Sequence, residues 1–170
     1  MQMMSETSDI QAESLLPEEV MLHRGPMLLL NRLGTFEESR MTAYVDVSAQ
    51  SSFFVAGAGV PLWIGIEYMA QAIAAHGGIR AKYAGRPIPL GLLIGCHNFT
   101  GNVSHFAEGA RLTVRATELV ADAEGLGAYD CAIEAEGIEV SARLTVFVSP
   151  DANLDDVLER NRRQLRSAGS

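Results

Sequence analysis

The sequence predicts an α+β fold in which an antiparallel sheet wraps around one long central helix. Three observations predict it: a run at residues 60–75 that is apolar on every side, two β-like segments before this run, and four after it. With 170 residues, 48% of them hydrophobic, the chain is long enough for one domain with an ordinary core. The strands are therefore expected to cover the helix.

The apolar run (VPLWIGIEYMAQAIAA) is hydrophobic around its whole circumference, and such a helix is normally buried. Pro61 suits the first helical turn. Gly77 and Gly78 are a weak place for the helix to end, so we expect it to continue toward Gly85, with Pro87 as a stop. The run is too short to cross a bilayer, which needs about 20 apolar residues.

Strands are predicted on both sides of this helix. Residues 27–33 form an apolar run typical of a buried strand, and residues 41–47 alternate between apolar and polar as a half-buried strand does. After the helix, the turn signals at Gly125 and Gly137 separate β-like segments that indicate an antiparallel meander. These segments are residues 89–101, 110–121, 126–135 and 138–148. A sheet that curls around a helix in this way is the hot-dog fold.

The two ends of the chain differ from this domain. Residues 1–13 are rich in Ser, Gln and acids and resemble neither a signal peptide nor a membrane anchor, so a disordered leader is predicted. The hot-dog domain is expected at residues 14–150. Residues 151–170 have leucines and valine at helical spacing, with arginines facing elsewhere, which predicts a C-terminal amphipathic helix or tail.

The charge balance limits the possible partners. A formal charge of -8 leaves no broad basic face for nucleic acid or for an anionic membrane. Cys96 and Cys131 are far apart in sequence and belong to no metal-ligand spacing, which favours a reduced, cytoplasmic setting. The carboxylates and histidines likewise show no pattern that predicts a metal site.

Glu67 is the one acid inside the apolar helix. A buried carboxylate is costly unless it is paired, or unless its pKa rises and it stays protonated. Two explanations remain open. Gln71, one turn later, could satisfy the carboxylate, or Glu67 could be a general acid with a raised pKa.

Three motifs resemble a known family, the FabZ-type 3-hydroxyacyl-[acyl carrier protein] dehydratases, and more closely their ApeP-like branch associated with aryl polyene biosynthesis. Residues 22–32 (LHRGPMLLLNR) are similar to the family's "PHRxPxLLxDR". Residues 66–71 (IEYMAQ) are similar to "IEAMAQ", and residues 95–99 (GCHNF) to "GIDNARF". The motifs fall in family order, and the resemblance covers about residues 16–148.

The resemblance implies a homodimer with active sites at the subunit interface, and elimination of water from a 3-hydroxyacyl thioester without metal or redox cofactor. Glu67 matches the family's catalytic acid. The family's usual base, the His of a "GHFPG" motif, has no counterpart at residues 53–61 (FFVAGAGVP). His23, in the first motif, is either the replacement base or a structural residue.

Other residues are candidates for binding the substrate. The thioester carbonyl gains negative charge as the α-proton leaves, and backbone N–H groups near the helix start could stabilise it. Gly57 and Gly59 either bring the backbone close to the substrate or simply close the loop. The candidate substrate-binding residues are Gly57, Gly59, Leu62, Trp63, Gln71 and Asn98.

Arg80, Lys82 and Arg86 form a basic cluster after the apolar run. They are either a solvated helix end or the contact for the phosphopantetheine phosphate and an acidic acyl carrier protein. The resulting hypothesis is a dehydratase acting on carrier-bound substrate. The alternatives are a hot-dog acyl thioesterase, or a non-catalytic subunit that completes another hot-dog dehydratase in a hetero-oligomer.

Overall fold

The structure, a computed structural model, describes residues 12–149. The first eleven residues of the predicted leader and the predicted C-terminal helix lie outside the described residues. Ala12, which the sequence places in the predicted leader, begins a short 3-10 turn and is buried. Ala12 and Glu13 therefore belong structurally with the residues that follow the predicted boundary at residue 14.

Within residues 12–149, six strands form one antiparallel sheet, and two short strands form a second, two-stranded sheet. In the large sheet the spatial order is β1-β2-β6-β7-β8-β4. The bounds are β1 Arg32–Glu37, β2 Arg40–Asp46, β3 Val60–Pro61, β4 Gly91–Gly101, β5 His105–Phe106, β6 Arg111–Ala121, β7 Leu126–Ala135 and β8 Ile138–Val148. The small sheet pairs β3 with β5.

The central helix, α1, spans Gly65–Tyr83, and a 3-10 turn at Leu62–Ile64 precedes it. It passes through Gly77 and Gly78 as predicted, but it begins four residues after Pro61. Gly78 is required by packing, because a Cβ there would overlap the backbone carbonyl of Val20. No residue of α1 before Lys82 is fully exposed. The predicted buried helix inside a curled antiparallel sheet, the hot-dog fold, is confirmed.

The strand predicted at residues 27–33 is correct only for its last two residues, which begin β1. The chain forms a 3-10 turn at Gly25–Met27, and β1 starts only at Arg32. Between them, the backbone of Met27 and Leu29 is bound by the side-chain amide of Gln71 on α1. The backbone polar groups of this apolar segment thus find a partner that no strand pattern reveals.

The predicted four-strand meander is correct for three strands and wrong for one. β6, β7 and β8 are consecutive neighbours, whereas β4 pairs with β8 at the far edge of the sheet. The connection that contains α1 takes the chain from β2 to the opposite edge of the sheet, where β4 lies. β6 joins β2 instead.

β4 is an edge strand with an unusual surface. Leu92, Leu93 and Ile94 are all exposed, although successive side chains of a strand point to opposite faces. Its only sheet neighbour among the described strands is β8. An apolar edge strand that is open on both faces is a place where another chain can pair.

Among the described residues, no helix is long and apolar enough to cross a membrane.

Candidate active site

The two predicted catalytic residues, His23 and Glu67, lie close together at the first turn of α1. His23 Nε2 lies 3.5 Å from Glu67 Oε1. The side chains are 32% and 35% exposed, so the expectation that Glu67 is fully buried is wrong for the single chain. The other ring nitrogen, His23 Nδ1, is buried and has no hydrogen-bond partner among the described residues. Nε2 is therefore the ring nitrogen that faces Glu67.

Gln71 lies one helical turn after Glu67, on the same face of α1. Its amide nitrogen donates to Glu67 Oε1 at 2.9 Å and to the carbonyl oxygen of Met27 at 2.8 Å. Its oxygen accepts the backbone N–H of Leu29 at 2.9 Å. Gln71 therefore connects the carboxylate to the segment that follows His23.

The pKa of Glu67 is lowered, which corrects the prediction that it is raised. Burial is the largest single influence on this carboxyl and raises its pKa. The hydrogen bonds from His23 and Gln71, together with the charge of His23, lower the pKa by more. Glu67 is consequently ionised at neutral pH, and because a carboxylate only accepts hydrogen bonds, His23 Nε2–H is the donor that faces Oε1. Glu67 Oε2 has no hydrogen bond to any described residue.

The geometry of the loop before α1 accounts for the two glycines in it, Gly57 and Gly59. Val55 and Gly59 form a β-bridge, and Gly57 lies in the turn between them with a φ of 78°. Gly59 has a φ of 109°, and a Cβ there would overlap the carbonyl oxygen of Phe106. The structure gives both glycines a role in closing the loop. Their predicted role in substrate binding stays a prediction.

Leu62 and Trp63, the two predicted backbone N–H donors, have different surroundings. Leu62 donates its N–H to the carbonyl oxygen of Ser104 at 2.9 Å, so a substrate would have to displace that bond. Trp63 is 61% exposed, and its ring packs edge-on against Phe53. Phe53 adopts a left-handed φ of 67°, a conformation that is uncommon for a bulky residue. These two aromatic rings form an exposed apolar surface beside the start of α1.

Asn98 and the basic cluster have no described contact with the His23–Glu67 pair. Asn98 is exposed at an irregularity of β4, with a left-handed φ of 53°, and no described hydrogen bond joins it to the catalytic pair. Arg80 is bound to Glu118, and Lys82 lies 4.0 Å from Glu19. Arg80 and Arg86 both line a cavity of about 590 Å³ near the end of α1. Two of the three cations have acidic partners, and the predicted role of the three in carrier binding stays a prediction.

A second polar cluster was missed by sequence reasoning. The carboxylate of Glu118 accepts hydrogen bonds from Arg80 at 2.8 Å and from the Tyr129 hydroxyl at 2.7 Å. His76 is fully buried beside Tyr129, and its Nε2–H donates to the carbonyl oxygen of Glu37 at 3.0 Å. One signal was available: Glu118 continues the inward alternation of Leu112, Val114 and Ala116 on β6. Its partners, on α1 and β7, could not be read from that strand alone.

The site is thus an ionised carboxylate beside an N–H donor, with a free carboxylate oxygen. It can accept a proton at one atom and give one from another a few ångströms away. Within the described residues, no group of three or more His, Cys, Asp or Glu side chains is placed to hold a metal ion.

Comparison with known proteins agrees with this architecture. A chain of the dehydratase heterocomplex ApeI:P from Xenorhabdus doucetiae is similar, with a TM-score of 0.75 and 27% identity over 85% of this chain and 97% of that chain. The protein smu.793 from Streptococcus mutans, bound to acetyl CoA, has a TM-score of 0.53 at 12% identity, covering 69% of this chain and 86% of that chain. That level of identity shows the fold alone.

A hypothetical thioesterase from Streptococcus pneumoniae with coenzyme A also shares the fold, with a TM-score of 0.52 and 12% identity over 69% of this chain and 84% of that chain. No curated protein matches the sequence. The ApeP-like family (ApeP dehydratase) matches residues 15–159. With this match over most of its length, the chain belongs to the ApeP-like dehydratase family.

Proposed function

We propose that this protein removes water from 3-hydroxyacyl thioesters carried by an acyl carrier protein, yielding the trans-2-enoyl thioester, in the cytoplasm. The observation that carries the proposal is the His23–Glu67 pair, a proton donor and a proton acceptor in contact at 3.5 Å. Dehydration acts on two adjacent carbons, one losing a proton and the other losing hydroxide. An acid and a base this close together can serve both carbons.

The charge of Glu67 favours a division of roles opposite to the one predicted from the sequence. Glu67 is ionised, so its free oxygen Oε2 accepts the α-proton, and His23, in the cationic form whose charge lowers the pKa of Glu67, protonates the departing hydroxyl group through Nε2–H. The electrons of the Cα–H bond form the Cα=Cβ bond as the Cβ–O bond breaks. Water leaves, and the proton held by Glu67 passes back to His23, which restores the pair.

A second hot-dog subunit completes the site. Three features support this: the apolar open edge of β4, the one-third exposure of the catalytic pair, and the similarity to a chain of a dehydratase heterocomplex. Pairing at the β4 edge would cover Leu92, Leu93 and Ile94. The partner is either a second copy, as the family resemblance implies, or a homologous subunit.

Carrier recognition is proposed at Arg86. Of the three basic residues, Arg80 and Lys82 have carboxylate partners, whereas Arg86 has none within ion-pair distance in the described part of the chain. A guanidinium without a carboxylate partner can bind a phosphate through two N–H groups. Arg86 is therefore the cation best able to meet the phosphopantetheine phosphate.

The test is a direct reaction. The purified protein is incubated with a 3-hydroxyacyl carrier-protein thioester, and the carrier is followed by intact mass spectrometry. Loss of one water supports dehydration by the chain itself. If water is lost only after a second hot-dog subunit is added, the site needs its partner. An unchanged substrate in both reactions contradicts the proposal.

A thioesterase is the second candidate, and the ionised state of Glu67 is the observation that favours it. A carboxylate with a free oxygen can also activate water for attack on a thioester carbonyl. The same measurement separates the two reactions, because hydrolysis returns the free carrier and a 3-hydroxy acid. The dehydratase family and the adjacent proton donor favour elimination.

A further inference from the structure

Gln71 uses every N–H of its side chain inside the protein. The residue is completely buried, and its amide group contacts Glu67, Met27 and Leu29 at 2.8 to 2.9 Å. The orientation of the amide follows from its partners, since the Met27 carbonyl only accepts and the Leu29 N–H only donates. No N–H group remains for a substrate.

We infer that Gln71 is a positioning residue for the catalytic pair and not part of the substrate-binding surface. This inference rests on the proposed function. Its bond to Oε1 turns that oxygen toward His23 and leaves Oε2 as the reacting oxygen. Its bonds to Met27 and Leu29 fix the segment that carries His23 against α1.

The position of Gln71 makes this role specific. It lies four residues after Glu67, so both side chains emerge on one face of the helix. The chain between His23 and Leu29 forms only a short 3-10 turn and contains no strand of its own. The amide of Gln71 therefore supplies hydrogen bonds that a neighbouring strand would otherwise provide. Loss of this amide should release both members of the pair at once.

Three variants test the inference. Gln71→Leu removes all three hydrogen bonds, and Gln71→Glu keeps the size of the side chain if the Leu variant does not fold. Asn31→Ala is the matched control. Its side chain accepts the N–H of Asp46 and so anchors the far end of the same segment, without touching Glu67. Thermal unfolding identifies the variants that fold.

Two measurements are made on each folded variant. A carbon-13 NMR titration follows the carboxyl of Glu67, assigned by comparison with Glu67→Gln. Steady-state kinetics gives kcat and KM for dehydration, in the assembly that is active. In Gln71→Leu the titration midpoint of Glu67 should rise, because a hydrogen bond to its ionised form is lost. The kcat should fall about 10- to 100-fold, with KM unchanged.

In Gln71→Glu the added carboxyl competes with Glu67 for protons, and the apparent midpoint should also rise. Asn31→Ala should leave the midpoint of Glu67 and kcat as they are. A raised KM with unchanged kcat in the Gln71 variants would overturn the inference in favour of substrate binding. If Asn31→Ala lowers kcat as much as the Gln71 variants do, the inference is overturned, and Gln71 only anchors the segment. If the wild-type protein forms no enoyl product, the proposed function fails, and the titration still decides whether Gln71 holds Glu67.

Discussion

Two polar clusters involve side chains of α1 and contain similar groups, but their carboxylates differ in exposure and in hydrogen bonding. The first cluster is His23, Glu67 and Gln71, and the second is His76, Arg80, Glu118 and Tyr129. Both have a histidine, a carboxylate and a hydrogen-bond donor, and they lie about 13 Å apart along the helix axis, at roughly 1.5 Å per residue. At the first cluster, Glu67 is 35% exposed and keeps one oxygen without a described hydrogen bond. At the second, Glu118 is 16% exposed and both of its oxygens are bonded.

The difference indicates which carboxylate is able to react with a bound molecule. In both, burial raises the pKa of the carboxyl, but hydrogen bonds from neighbouring donors lower it by more. Both carboxylates are therefore ionised. Only Glu67 offers a free, accessible oxygen to an incoming molecule. Glu118 is saturated by Arg80 and Tyr129 and ties α1 to the sheet.

The largest contrast is expected from one substitution made at both clusters. Glu67→Gln keeps the size of the side chain but removes the proton acceptor, so kcat/KM should fall by about 10²- to 10⁴-fold. The melting temperature should change little, because the amide can still accept from Gln71. Steady-state kinetics and thermal unfolding are the two measurements. Unchanged turnover would remove Glu67 from the mechanism.

Glu118→Gln should have the reverse effect. The substitution takes a negative charge from Arg80 and places an NH₂ group among hydrogen-bond donors, which should cost about 2 kcal/mol of unfolding free energy. In urea unfolding, the midpoint should fall while kcat stays close to that of the wild type. A variant with full stability would show that this cluster does not hold the helix to the sheet.

The smallest effect expected is a pH dependence that belongs to His76. Burial lowers its pKa below the ordinary histidine value of 6.5, and the charge of Arg80 lowers it further, while the bond to Glu37 and the charge of Glu118 act in the opposite direction. The unfolded chain therefore binds a proton near pH 6.5 that the folded protein binds only at lower pH. The contribution of His76 to the free energy of unfolding is therefore fully present above pH 6.5, and it decreases as the pH falls below 6.5.

His76→Gln should flatten this decline, and melting temperatures between pH 7.5 and 5.5 measure it. His97→Gln, at an exposed position on β4, is the control and should keep the wild-type slope. A slope that is the same in all three proteins would contradict a neutral, buried His76.

The sequence predicted the parts of the fold that depend on periodicity. The helix, β2 and the last three strands follow from apolar runs and alternation, because burial on one face or on all faces leaves a repeat in the sequence. The hot-dog fold followed from the need to cover an apolar helix. The pairing of β4 with β8 did not, because edge position depends on where α1 delivers the chain.

At the site, the motifs selected Glu67, His23 and Gln71, and only the tertiary structure shows what each one contacts. The apolar helix suggested a buried, protonated acid, yet hydrogen bonds from His23 and Gln71 make Glu67 an ionised carboxylate. The side-chain amide of Gln71 also holds the backbone of Met27 and Leu29, in a segment that the sequence predicted to be part of a strand. Sequence pattern determined which residues are apolar and which are reactive. The protonation state of Glu67 depends on Gln71, one helical turn away, and also on His23, which only the folded chain brings beside it.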